Sequence, residues 1–269
     1  MDDTLKDIFI YQGGKGLPKG SIRLSGSGFD KWVTKPWNWN YEEVLKLERF
    51  EGNTSSVLGT AVHKTAECFH KGISGIKDEV ISQMHEFSAA NPDLELDTEE
   101  ISNQFPGMSM ELVNAYLRSS PKASAVEEDL SIHLTDNYYV EGQVDRVEED
   151  VVIDFKTYNS ATEPKGIKLE HKRQLLFYVW LYKQLGKTMD RIRVVYISRA
   201  IDTRRISEKT GKPIGKITPP KVTVHTEVVD QKDLDWTNSM IMLWVKTMKF
   251  SEQHPDFHDV IFHDPRLTK

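Results

Sequence analysis

Apolar and polar residues follow two different periods along this chain. From Tyr41 to about Ser120 apolar positions recur every three to four residues, which predicts helices with breaks at Gly52-Asn53, Gly72 to Gly75, Asn91-Pro92 and Pro106-Gly107. Ahead of this stretch, Leu24 to Trp32 carries serines suited to capping a helix, so ordered structure is expected from near Ser21. Beyond Pro121 the period shortens. Residues 125–134, 138–147 and 151–157 are branched-rich or alternating runs separated by Thr135-Asp136-Asn137 and Glu148-Glu149-Asp150, the pattern of three neighbouring antiparallel strands. Helical spacing returns over 169–185, strands are expected over 191–201 and 222–229, and a closing helix over 230–250.

The expected organisation is a leader over residues 1–20 and one domain over 21–269, with a helical part at about 21–120 and a sheet-centred core at about 121–250. Length and a 38% hydrophobic composition suffice for a sizeable core. No apolar run reaches the roughly 18 residues of a membrane span and the first residues lack a secretory pattern, so the expected compartment is the cytoplasm, or the host cytoplasm for a phage protein. The lone cysteine, Cys68, excludes an internal disulfide and a four-thiolate metal site within one chain, leaving oxygen and imidazole as the ligands for any metal.

A net charge of -6 argues against coating nucleic acid by charge alone. The local distribution differs, because nine basic residues face two acids between Arg191 and Lys221. Arg204 and Arg205 lie in this phosphate-binding candidate, whose middle, with its Gly and Pro breakers, reads as a hairpin tip or loop. Trp32, Trp37, Trp39 and Tyr41 could stack unpaired bases, but packing onto the helical region is the favoured reading. His254, His258 and His263 are read as part of a polar tail rather than a metal site.

The strongest chemical signal is Val151-Val152-Ile153-Asp154-Phe155-Lys156-Thr157, an apolar strand that places an acid and a lysine on one face. Burying both groups is costly without pairing or a metal. Gly142-Gln143-Val144-Asp145-Arg146 precedes it, and a hairpin turn between the two would set Asp145 beside Asp154. Two such carboxylates call for a cation, and hard oxygen donors suit Mg2+ or Mn2+, with histidine completing the set. Upstream, His63 and Glu67 lie one helical turn apart, and His70 is left without a role. Downstream, Gln174 and Tyr178 lie one turn apart behind Lys168, Lys172 and Arg173, where they could hold phosphates or bases.

The ordered set G-T-A-V-H-x3-E, G-x-V-D-R, I-D-F-K-T and Q-x3-Y, over about Leu24 to Tyr178, resembles the RecB-like branch of the PD-(D/E)XK nuclease superfamily. That branch includes nuclease domains of recombination helicase-nucleases, CRISPR adaptation nucleases and stand-alone exonucleases. The resemblance implies an α/β fold, a restriction-endonuclease-like core with a mixed central sheet flanked by helices and a helical N-terminal elaboration. It further implies that His63, Asp145, Asp154 and the carbonyl of Phe155 bind Mg2+ or Mn2+, that Lys156 orients or helps deprotonate the attacking water, and that Glu67 assists. Gln174 and Tyr178, with Lys172 and Arg173, would contact DNA.

Some relatives hold a 4Fe-4S cluster through four cysteines; with Cys68 alone, none is expected here. No Walker motif is present, so a helicase would be a separate partner, as would a recombinase or single-strand-binding protein. The resemblance favours an exonuclease acting on free ends or single-stranded DNA in replication, recombination or repair. A structure-specific endonuclease on the same core and a non-catalytic DNA-binding scaffold are the alternatives.

Overall fold

A mixed sheet runs through the molecule in the order β1 (Ile22–Ser25), β3 (Tyr138–Glu148), β4 (Val151–Tyr158), β5 (Arg191–Ser198), β10 (Val222–Val228), with β2 (Ala125–Thr135) also pairing β3. The computed structural model describes residues 17–18, 20–46, 52–73, 96–159, 162–206 and 213–257, and isolated positions at 75, 78, 80–82, 89 and 262. The Asn91-Pro92 break and most of the leader lie outside the described residues, as do His258 and His263.

Strands β2, β3 and β4 form the expected antiparallel meander. Strand β5 then joins β4 in parallel through a crossover, and β10 returns antiparallel to β5. Asp136 and Glu149, both with positive φ, lie in the two polar connections that turn the meander.

Helices cover both faces of this sheet. On one face lie α1 (Gly26–Thr34), α5 (Leu169–Gln184) and α6 (Gln231–Gln253), whose Phe29, Phe177, Leu181, Ile241 and Trp244 pack with Val152, Val194 and Tyr196. On the other lie α3 (Thr54–Lys71) and α4 (Thr98–Leu112), whose Leu58, Val62, Phe105 and Met108 pack with Ile153, Phe155 and Val195. The alternation along β4 explains the division: Val152 and Ile153 point to opposite sides and each meets its own helix layer.

The ends of α3 follow from its sequence. Asn53 accepts the Ser56 amide in a capping box, and Gly72 closes the helix in the left-handed conformation at φ 68. Together they fix the register that turns His63 towards the sheet. Short α2 (Pro36–Trp39) brings Trp39 against Trp32 and Trp244, with Trp39 and Trp244 centroids 5.9 Å apart, so Trp32 and Trp39 are core residues, packed on the closing helix rather than on the helical region after Tyr41.

Two expectations are corrected. Pro106-Gly107 does not break the chain: α4 runs through it, because Phe105, Met108 and Leu112 bury one continuous stripe, while Gly107 leaves room for the Pro220 ring. Residues 22–25, within the stretch expected to be helical, instead form β1 in parallel with β3, so the sheet draws on both halves of the chain. A four-residue strand is too short for its period to show.

Strand β3 occupies a forked position. Strand β2 lines one of its edges from Tyr138 to Val147, while the other edge pairs first with β1, up to Glu141, and then with β4, from Arg146. Gly142 to Asp145 face the gap between them. The Tyr178 ring fills part of this gap, so close that a Cβ on either Gly26 or Gly142 would lie 2.5 Å from it.

Candidate metal centre and active site

At the fork, β3 and β4 part immediately beyond the Arg146–Ile153 pair, and the freed backbone amide of Phe155 donates to Asp145 Oδ2 at 2.7 Å. Asp145 thus bridges the two strands and is only 6% exposed. Asp154, 1% exposed, sits opposite on β4; its Oδ1 accepts from Lys156 Nζ at 2.7 Å, whereas its Oδ2 has no hydrogen-bond partner among the described residues. A buried carboxylate oxygen without a donor is rare enough to mark a place where a positive charge belongs.

His63 reaches the same point from α3. Its Nε2 donates to the Phe155 carbonyl at 2.9 Å and its Nδ1 lies 3.4 Å from Asp145 Oδ1. Among the described residues, His63, Asp145 and Glu127 place ligand atoms within 4.8 Å of one another. Glu127 belongs to β2, between the pairs Val126–Arg146 and Glu128–Val144, and takes a left-handed φ of 50 there. Sequence reasoning missed it. In the sequence Glu127 and Glu128 are two adjacent acids on a strand, and alternation sends them to opposite faces: Glu128 turns to Tyr182 and Lys187 on α5 and beyond.

The electrostatics follow from this crowding. Burial pushes the Asp154 carboxyl up, and Asp145 adds to it, bringing it to about 6 against the pull of Lys156. Burial and the nearby Asp145 raise Glu127 to about 8. For His63 burial works against the charged form, but Asp145 and Glu127 prevail and raise it to about 9. Asp145 is held low despite its burial, first by His63 and then by Lys156 and the Phe155 amide. At neutral pH the protein's own groups therefore balance their charge by keeping protons on His63 and Glu127. The donor set of carboxylates, a carbonyl and an imidazole suits a hard divalent cation.

A family model described as the PD-(D/E)XK nuclease superfamily matches residues 23–249, most of the chain. The chain belongs to this superfamily. No curated protein matches it. Among solved structures it is similar to a candidate exonuclease from Eubacterium rectale, with 13% identity, a TM-score of 0.45 and coverage of 82% of this chain and 78% of that one. It is also similar to a protein designated SSO0001, with 19% identity, a TM-score of 0.26 and coverage of 77% and 83%. The mixed sheet flanked by helices is the restriction-endonuclease-like fold of the superfamily.

The other expected site residues distribute unevenly around this nuclease core. Glu67 is turned aside: its carboxylate accepts from Lys64 and Lys71, each at 2.6 Å, and these lysines hold it low although burial opposes them. Gln174 Nε2 donates to Tyr178 Oη at 2.9 Å, with Tyr178 itself buried over Gly142. Arg173 pairs with Asp30 of α1 at 2.7 Å, and Lys172 with Glu227 and Asp233 at 3.2 and 3.3 Å, so both pin α5 to its neighbours.

Lys156 has a wall that sequence reasoning did not identify. Tyr196 is its partner across β4 and β5; the Tyr196 hydroxyl accepts the Lys168 amide at 3.1 Å and meets His171 Nδ1 at 2.9 Å. Burial, then Lys156 and Lys168, lowers His171 to about 3, so its neutral Nδ1 accepts the tyrosine proton. Two aromatic residues on a helix and a strand give no sequence signal of such a pairing.

The basic segment forms a hairpin. Strand β6 (Ile201–Asp202) pairs β9 (Ile217–Thr218), and β7 (Arg205–Ile206) pairs β8 (Pro213–Ile214). Arg204 is exposed and grips Asp202, Arg205 is exposed, and residues 207–212 lie outside the described residues. Arg199 at its base is buried and bonded to Glu100 and Ser55, hence structural. Among the described residues no helix is long and apolar enough to cross a membrane.

Proposed function

We propose that this chain is a metal-dependent deoxyribonuclease that hydrolyses phosphodiester bonds, acting as an exonuclease on DNA ends or single strands. One observation carries the reading: the buried Asp154 Oδ2 has no hydrogen-bond partner among the described residues, while its Oδ1 holds Lys156, on the strand whose next residue, Phe155, is bound through its amide by Asp145 and through its carbonyl by His63. Those four groups would hold Mg2+ or Mn2+. A bound cation supplies Lewis-acid stabilisation of the phosphate and a lowered pKa for its water.

The chain's own residues do the rest. Lys156, 25% exposed and tethered to Asp154, places a positive charge where a pentavalent phosphorus gains negative charge, and its ammonium orients the attacking water. Asp145 ties the strand carrying Asp154 to β3, so the two carboxylates keep a common spacing. The neutral His171 and Tyr196 back Lys156 without competing for its charge.

DNA would approach along the hairpin, which begins just past Ser198, the partner of Tyr158 two residues after Lys156. Arg205 on its exposed surface would meet phosphates, and Arg204 would do so on leaving Asp202, whereas Gln174 and Tyr178 would act at the fork itself. Lys172 and Arg173 would contribute only by exchanging their present carboxylate partners for phosphate. A strand held beside the site by this hairpin would favour action from an end over an open cleft.

The test is digestion of end-labelled single-stranded DNA, linear duplex and covalently closed circles with Mg2+, Mn2+ or EDTA, using wild type and Lys156→Ala. The reading expects metal-dependent loss of linear DNA, spared circles and an inactive variant. Cutting of circles replaces it with an endonuclease, and tight binding without cleavage replaces it with a scaffold.

A further inference from the structure

His63 presents two chemically distinct nitrogens, and the geometry separates their roles. Taking His63, Asp145, Asp154 and the Phe155 carbonyl as the ligand set, as proposed above, Nε2 is the nitrogen on the cation's side, since it lies 2.9 Å from that carbonyl. Nδ1, on the other side of the ring, lies 3.4 Å from Asp145 Oδ1 and 3.9 Å from Glu127 Oε1, so it borders the carboxylates rather than the carbonyl. A neutral imidazole offers one lone pair. Ligation through Nε2 therefore requires the proton on Nδ1, and that N–H requires an acceptor.

Asp145 is poorly placed to be that acceptor. Its Oδ2 is taken by the Phe155 amide, and Oδ1 is the oxygen left for a cation. Glu127 lies outside the ligand set proposed above, although its carboxylate is within ligand distance of His63 and Asp145, and its Oε1 is 3.9 Å from Nδ1. Alternation along β2 puts Glu127 on the face of Asp145 and His63 while Glu128 reaches Tyr182 on the other, and Glu127 takes a left-handed φ of 50 there.

We propose that Glu127 accepts a hydrogen bond from His63 Nδ1–H and so holds the imidazole in the tautomer that presents Nε2 to the cation. Glu127 is a positioning residue, acting on the metal only through His63. Such outer carboxylates orient a ligating histidine and raise its basicity, and their loss weakens metal binding without removing a ligand. A single carboxylate in a strained conformation thus tunes the centre.

Calorimetric titration of the whole chain with MnCl2 tests this, comparing wild type with Glu127→Ala, Glu127→Gln and Glu127→Gly. The glycine variant guards against misfolding, because glycine takes the left-handed φ freely. All four should bind the same number of cations per chain, the Ala and Gly variants roughly 10- to 100-fold more weakly. The Gln variant, whose amide oxygen still accepts the Nδ1 proton, should stay within about threefold of wild type. Nitrogen-15 NMR of the Mg2+-loaded protein should find His63 protonated at Nδ1 in wild type and the Gln variant, and a tautomer mixture in the other two.

Equal affinities in all four proteins would overturn the proposal. So would a Gln variant as weak as Ala that also binds fewer cations, which would make Glu127 itself a ligand. If the Glu127 variants bind as wild type while Lys156→Ala still abolishes cleavage, this inference falls and the nuclease reading stands; a wild type that binds no Mn2+ sinks both.

Discussion

Asp145 Oδ2 accepts the Phe155 amide at 2.7 Å across the point where β3 and β4 part. The carboxylate thereby serves the fold and the site with different oxygens, and conservative and non-conservative variants should separate the two duties. Asp145→Asn retains an acceptor for the amide and should unfold within about 1 kcal/mol of wild type while losing most Mn2+ affinity. Asp145→Ala orphans a buried N–H and should cost about 1–3 kcal/mol. Urea denaturation and Mn2+ titration of the two variants check this; equal destabilisation would show that the bridge carries no stability.

Cations and protons compete at this site. His63 at about 9 and Glu127 at about 8 hold protons at neutral pH, and Asp154 at about 6 takes one in mild acid. A cation must displace the proton on the ligating nitrogen of His63 and finds Asp154 fully ionised only above about pH 6, so affinity should rise with pH between 6 and 9. The sign is that of ligands whose protons are held more tightly than usual. Calorimetry in buffers of different ionisation enthalpy should register proton release at pH 7; a pH-independent affinity would contradict the assignment.

A second buried charge cluster is structural. Glu148, 1% exposed, binds Arg146 at 2.7 Å, Arg193 at 2.8 Å and the Tyr116 hydroxyl at 3.2 Å, tying the turn after α4 to the sheet. Removing the acid leaves two cations uncompensated, so Glu148→Ala should lose about 3–5 kcal/mol of stability. Thermal unfolding measures it, and a loss under about 1 kcal/mol would mean that solvent replaces the network.

Gly142 is the narrowest place in the fork. Adding a methyl group there would set it 2.5 Å from the Tyr178 ring, so Gly142→Ala should destabilise by about 1–3 kcal/mol and displace Tyr178 from Gln174. Paired with Tyr178→Phe, which keeps the ring and drops the hydroxyl, it separates packing from any contact with DNA: the Phe variant should keep wild-type stability and weaken DNA binding in a shift assay if Tyr178 acts through its hydroxyl.

Much of this arrangement was legible in the chain. The meander showed because its strands alternate and polar residues punctuate them, and Asp154 and Lys156 stood out as charges within an apolar strand. Asp145 and His63 became legible through their spacing in a set of motifs. Strand β1 did not, because four residues carry no period, and Pro106 misled because burial of the α4 stripe outweighs its local preference. Glu127 was invisible for a different reason. Its place beside His63 depends on register with Asp145 across a strand pair, which two adjacent acids do not announce. Lys172 and Arg173 read as phosphate contacts from the chain alone, and the carboxylate partners that packing gives them are not announced by any spacing.

The most direct test of the central claim is single-turnover cleavage of a labelled DNA strand by Lys156→Ala, with Mn2+ and DNA binding measured on the same protein. The account predicts that Lys156→Ala binds both and cleaves roughly 10²- to 10³-fold more slowly, the loss expected on removing one transition-state charge partner. Cleavage at the wild-type rate would place the chemistry elsewhere in the molecule and contradict the account.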